Sequence, residues 1–195
     1  MIQGTTSEDK KKGSLMKDLL IVVDMQNDFI DGPLGTPEAQ AILPRVKELI
    51  SQYDSKDVLF TRDTHQEHYL ITQEGRNLPE ENCIVGTKGW QIHPELDNLR
   101  HTEPVDKPTF GSWQLGQMLR EINDEEAQIE TIRLAGVCTD ICVISNALLI
   151  KAFLPESKII VDASAWAGVS PEAHDTALDA MRSCQIKIEN DTWLN

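Results

Sequence analysis

Five consecutive apolar residues, Leu19-Leu20-Ile21-Val22-Val23, form a short, largely β-branched run with no polar break. That is the pattern of a strand buried on both faces. The polar stretch from Asp28 to Thr36 reads as a loop, and Thr36-Pro37 then supplies an N-cap and a first-turn proline. Ile42, Val46, Leu49 and Ile50 follow at helical spacing. Asp57 to Thr61 predicts a second strand, and Leu115, Met118, Leu119 and Ile122 mark the apolar face of another helix. Thr131 to Ala135 predicts a strand that runs into a helix from Asp140 to Ala152. Lys158 to Val161 is again strand-like. Ser170-Pro171 caps a helix carried by Ala173, Ala177, Ala180 and Met181, and Ile186 to Ile188 closes the series. From Arg62 to Pro108 no regular period holds, and so long an unpatterned stretch in a compact domain is usually functional.

Strands alternating with helices predict an α/β fold, a three-layer αβα arrangement around a mostly parallel central sheet. No internal repeat or second domain is visible. Residues 1–16 are polar and read as a mobile N-terminal arm, and residues 17–195 read as one domain. Ligands of such sheets sit at the carboxyl ends of the strands, which directs attention to Asp24, Asp63, Gly136 to Cys142, and Asp162.

Composition narrows the function. The 32 acidic residues against 18 basic ones give a formal charge of −14, a field that repels a phosphate backbone and excludes nucleic acid as a partner. Four cysteines with no Cys-x-x-Cys pair make neither a secreted disulfide framework nor a zinc ribbon. No apolar stretch approaches the roughly 20 residues a membrane helix needs. The expectation is a cytoplasmic protein that acts on a small molecule.

Several residues can do chemistry. Asp24 ends the first strand, where partial desolvation raises a carboxyl pKa toward general-base values, although a capping role is equally open. In Gly136-Val137-Cys138-Thr139-Asp140-Ile141-Cys142 a strand passes through a glycine turn into a helix. A thiol there feels the positive helix end, and free backbone N–H groups can bind an oxyanion. Two buried, inert thiols are the plainer alternative. Lys107 precedes Pro108, with Phe110 and Trp113 as candidate pocket walls, and an ammonium held near Cys142 would lower its pKa. Asp63-Thr64-His65 offers an oxygen and a nitrogen to a divalent cation, with Glu74 or another loop residue needed to complete the set, or else forms a polar surface loop.

Together, Val23-Asp24-Met25-Gln26-Asn27-Asp28-Phe29, Asp63-Thr64-His65, Lys107-Pro108-Thr109-Phe110-Gly111 and Gly136 to Val143 resemble the isochorismatase-like cysteine hydrolase superfamily, and within it the nicotinamidase/pyrazinamidase group. The resemblance spans Leu19 to Asn190. It implies Cys142 as nucleophile, Asp24 as general acid/base, Lys107 as the third member, and the backbone N–H groups of Cys138 and Cys142 as oxyanion hole. It also implies a cis peptide before Cys138, Phe29 and Trp113 beside the substrate ring, and a homo-oligomer. A metal (Zn, Mn or Fe) would be held by Asp63, His65 and Glu74, but Asn82 stands where the family has a further histidine. The implied activity is hydrolysis of a small amide, nicotinamide first. A metal-independent amidase acting on an N-carbamoyl, ureido or maleamate-like amide is the alternative that Asn82 favours. Vinyl-ether hydrolysis of the isochorismatase type does without the cysteine, and a non-enzymatic scaffold would not need to keep Asp24, Lys107 and Cys142.

Overall fold

The structure, a computed structural model, describes residues 16–191. The expected N-terminal arm lies outside the described residues except for Met16, which opens the first strand. Six parallel strands form one sheet: β1 (Met16–Val23), β2 (Val58–Asp63), β3 (Val105–Lys107), β4 (Gln128–Val137), β5 (Lys158–Ala167) and β6 (Lys187–Glu189). Their spatial order is β3-β2-β1-β4-β5-β6. The helices are α1 (Asn27–Ile30), α2 (Pro37–Ala41), α3 (Leu43–Ile50), α4 (Gln73–Asn77), α5 (Pro94–Asp97), α6 (Trp113–Glu121), α7 (Ile144–Phe153) and α8 (Pro171–Ser183).

The unbroken apolar run of β1 has the predicted cause. Leu19, Ile21 and Val23 point into a core filled by Leu115 and Leu119 of α6, Ala147 and Ile150 of α7, and Leu178 and Met181 of α8. Leu20 and Val22 point the other way, against Ala39 of α2 and Val46 and Leu49 of α3. Both faces are therefore covered, as a parallel sheet requires. The three-layer αβα expectation holds.

Strand order reverses between β1 and β4, because the chain builds outward through β2 and β3 on one side and through β5 and β6 on the other. The crevice at that switch point is where such sheets bind ligands. Gly136 at the end of β4 makes the close approach there: its φ is +134°, and a Cβ would lie 2.0 Å from the Val23 carbonyl oxygen.

Several boundaries differ from the pattern-based expectation. The stretch from Arg62 to Pro108 contains an unpredicted strand, β3, only three residues long and bracketed by Pro104 and Pro108. It is an edge strand, and short edges carry little periodic signal. The expected helix from Asp140 begins as a wide π-type turn over Thr139–Val143 and becomes α-helical only at Ile144. The loop expected from Asp28 to Thr36 overlaps α1.

Candidate active site

Four strand ends contribute to one buried cluster. Asp24 follows β1 with φ of +50°, an unusual backbone position for a residue other than glycine. Its Oδ1 accepts a 2.7 Å hydrogen bond from the Thr61 hydroxyl of β2, and its Oδ2 lies 2.7 Å from Lys107 Nζ. Lys107 ends β3 in register with Asp63 at the end of β2, and its ammonium also lies 3.2 Å from Asp63 Oδ1. The same ammonium donates to Cys142 Sγ at 3.5 Å and to the Thr109 carbonyl at 3.2 Å. Asp24, Lys107 and Cys142 are 0%, 1% and 5% exposed, so these charges meet with almost no water between them. The Val137-Cys138 peptide is cis, as the resemblance implies.

Two residues that the sequence reading missed hold this arrangement together. Asn146 lies one turn beyond Cys142 and is fully buried. Its Nδ2 donates to the carbonyls of Cys142 (2.7 Å) and Phe110 (3.0 Å), and its Oδ1 accepts from Ser112 N (2.9 Å). That side chain knits the Lys107 loop to the start of α7. Gln26 exchanges two bonds with the backbone of Asp63, donating at 2.8 Å and accepting at 2.7 Å, which fixes the end of β2 against the loop after β1. The available signal was an amide close to a candidate site residue, four residues after Cys142 in one case and two after Asp24 in the other.

The electrostatics correct one expectation. Burial first, and then the Asp24 carboxylate, push the Cys142 thiol well above its ordinary range; Lys107 pulls the other way without prevailing. That direction favours the protonated thiol of Cys142 over the thiolate expected from a helix end and a nearby ammonium. Burial also raises Asp24, against the opposing pull of Lys107. Lys107 would be lowered by burial, but Asp24, Cys142 and Asp63 hold it well above the usual lysine value.

Beside this cluster, Asp63, His65 and Glu74 converge, with one potential ligand atom from each lying within 4.8 Å of the others. His65 Nε2 is 3.0 Å from Asp63 Oδ2 and 3.5 Å from Glu74 Oε1. Burial would lower the His65 pKa, but the Asp63 carboxylate beside it and then Glu74 hold it above the ordinary value. The His65 ring packs on Tyr69, with centroids 4.6 Å apart. Asn82 is buried, and its amide nitrogen donates to the Glu80 carbonyl at 2.9 Å.

The remaining candidates separate. Phe29, on α1, is half-buried against the same apolar cluster as Cys138. Trp113 follows the Lys107 loop. It is 62% exposed at the start of α6 and packs edge-on against Phe153, with centroids 4.9 Å apart. Phe153 ends α7, 11 residues beyond Cys142, which in a helix is roughly 16 Å. Asp162 is structural: its carboxylate pairs with Arg45 at 2.8 Å and accepts from Ser164 and Asn190.

A buried thiol, carboxylate and ammonium at the switch point of a parallel αβα sheet define the class of protein. The chain belongs to the isochorismatase family, whose domain model matches residues 18–190. The isochorismatase family protein PncA of Bacillus subtilis is 34% identical over 180 residues, covering 84% of this chain and 93% of that one. The nicotinamidase/pyrazinamidase of Mycobacterium tuberculosis is 25% identical over 181 residues, covering 87% and 96%. Among solved structures, the pyrazinamidase of Pyrococcus horikoshii in complex with zinc aligns with a TM-score of 0.72 at 27% identity, covering 88% of this chain and 98% of that one.

Proposed function

We propose that this protein is a cysteine-dependent amidohydrolase that cleaves a small amide, nicotinamide in the first instance, to a carboxylic acid and ammonia. The observation that carries the reading is the ammonium of Lys107 in contact with both Asp24 and Cys142 inside a buried strand-end cluster. The likeness to the nicotinamidase/pyrazinamidase of Mycobacterium tuberculosis supports the substrate class.

The chemistry follows from the charges. Asp24 accepts the Cys142 proton as Sγ forms a bond to the amide carbon, and the carbonyl π-electrons move onto oxygen. The backbone N–H groups of Cys138 and Cys142 receive that oxyanion, an interaction for which the loss of one donor costs about 3–4 kcal/mol. Asp24 then protonates the nitrogen, the C–N bond breaks, and ammonia leaves a thioester on Cys142. Asp24 next takes a proton from water, whose oxygen attacks the thioester carbon. The acid departs and the thiol is reprotonated. Lys107 keeps its charge throughout, holding Asp24 and the sulfur in line.

Asp63, His65 and Glu74 fit a divalent cation of the Zn, Mn or Fe class: two carboxylates and an imidazole whose Nε2 faces both of them. When bound, such an ion supplies a Lewis-acidic anchor for a ring nitrogen of the substrate. Asn82, an amide where the resemblance has a further histidine, favours a second reading in which the same cysteine chemistry acts on an N-carbamoyl, ureido or maleamate-like amide without a metal.

Ammonia release from a panel of these amides, with and without chelator, tests both readings. Turnover of nicotinamide that chelator removes and zinc restores supports the first; chelator-insensitive turnover of the carbamoyl compounds supports the second. Full activity in Cys142→Ala would reject both. The reading also carries a cytoplasmic setting and a homo-oligomeric state. Its cysteines are free among the described residues, no described helix is long and apolar enough to cross a membrane, and light scattering reads the assembly.

A further inference from the structure

A second cleft, of about 380 Å³, opens beside the end of β5, between α2 and the start of α8. It is separate from the Asp24–Lys107–Cys142 cluster, none of whose members lines it. Two nearly buried side chains in its lining, Trp166 and His174, are 4% and 6% exposed. Trp166 Nε1 and His174 Nε2 both lack a hydrogen-bond partner among the described residues. An indole N–H buried without an acceptor costs free energy that a bound group would recover. The rim carries Glu38 and Asp175, and no lysine or arginine lines the cleft.

We infer that this cleft is a binding site for a small, uncharged carboxamide-type molecule with a flat apolar body. The chemistry selects that class. Trp166 Nε1 can only donate, so the ligand must bring an acceptor. His174 Nδ1 is 2.8 Å from the Thr139 hydroxyl, and either atom can be the donor. Its Nε2 is therefore an N–H if the hydroxyl donates and a lone pair if it accepts. A carboxamide answers both cases, with its carbonyl for an N–H and its amino group for a lone pair or a rim carboxylate. A carboxylate answers only the first and is repelled by Glu38 and Asp175. Burial holds the His174 pKa below its usual value, so no imidazolium is at hand to attract an anion near neutral pH. The apolar part of the ligand meets Ala41 and Ile42. The volume suits a single-ring molecule.

The inner wall is tied to the turn that carries Cys142. His174 bonds Thr139, Asp140 Oδ1 accepts from Val169 N at 3.0 Å, and Trp166 pairs with Gly136 in the sheet.

The test follows the indole N–H resonance of Trp166 in the full-length, ¹⁵N-labelled protein, identified by its loss in Trp166→Phe. Benzamide is the probe and benzoate its anionic counterpart. The site predicts a saturable shift of this resonance with benzamide and none with benzoate. Ala41→Phe fills the cleft from an exposed rim position without touching the core and should abolish the shift. Cys142→Ala, which alters only the other site, should preserve it. A resonance that ignores benzamide, responds equally to benzoate, survives Ala41→Phe or is silenced by Cys142→Ala overturns the inference.

Discussion

Replacing Lys107 by methionine keeps the length and apolar stem of the side chain and removes only the ammonium. In the folded protein that ammonium sits 2.7 Å from Asp24 and 3.2 Å from Asp63, with the Lys107 and Asp24 side chains fully buried. Removing one partner from a buried ion pair leaves an uncompensated charge and costs about 3–5 kcal/mol. Against a total stability of about 5–15 kcal/mol this is a large share. With a urea dependence of about 2 kcal/mol per molar, the midpoint should fall by roughly 1.5–2.5 M near neutral pH. The pH dependence carries a definite sign. Asp24 already has a raised pKa from burial, and loss of the opposing Lys107 charge raises it further from the ordinary value of 3.8. Between that value and its folded pKa, the native state of the variant binds a proton that the unfolded state has released. Stability therefore falls as pH rises through the window, and the deficit relative to the parent is smallest in acid. Lys107 itself stays charged in the parent over this range, because its folded pKa lies well above 10.5. Urea titrations of both proteins at about pH 5 and about pH 8 measure the effect. A midpoint shift below roughly 0.5 M, or a deficit that does not shrink in acid, would refute the assignment of Lys107 as the cation that holds this cluster.

The other predictions concern sulfur and metal. Cys142→Ala should reduce ammonia release to background, whereas Cys138→Ala should retain most of it, since residue 138 contributes its backbone N–H; equal losses in a colorimetric ammonia assay would contradict those roles. Asp24→Asn removes a carboxylate that raises the Cys142 pKa. Alkylation of Cys142 by iodoacetamide, followed by mass spectrometry, should then shift to lower pH even as turnover drops by about 10²-fold or more. An unmoved alkylation profile would show that Asp24 does not act on the sulfur. For the metal cluster, His65→Ala should lower the zinc retained after dialysis and Asn82→His should raise it. Elemental analysis reads both, and unchanged zinc content in both variants would remove Asp63, His65 and Glu74 as a ligand set.

How much the sequence disclosed depended on how each feature is made. The Leu19–Val23 run was legible because β1 lies in mid-sheet with helices on both faces, so no polar position interrupts it. β5 was under-read because its second half, Ala163 to Ala167, is built of small residues around Trp166 and lacks the β-branched signature. β3 was invisible because three residues between prolines establish no period. At the site, Asp24, Lys107 and Cys142 were legible through their motifs and local chemistry. Gln26 and Asn146 stayed hidden because their amides serve backbone groups brought together only by the fold. The thiol pKa was misjudged for a related reason. Neighbouring charges can be guessed from motifs, but burial and the approach of Asp24 belong to the tertiary structure.

That misjudgement bears on how the cluster works. With Cys142 protonated, Asp24 and Asp63 bring two negative charges to one buried ammonium. Ionising the sulfur into the surroundings would make three anions against one cation where water scarcely reaches, which is why burial and Asp24 both resist it. Passing the same proton to Asp24 leaves the total charge unchanged and merely moves a negative charge from oxygen to sulfur, both within reach of Lys107 Nζ. Burial raises both groups, and Asp24 adds to the rise at Cys142. In the proposed mechanism the sulfur becomes a nucleophile as Asp24 becomes neutral, and the negative charge then has an outlet when a carbonyl carbon is in place to take the sulfur's electron pair. On that mechanism water and stray electrophiles at the surface meet a thiol, while an amide seated against the cysteine turn meets a thiolate.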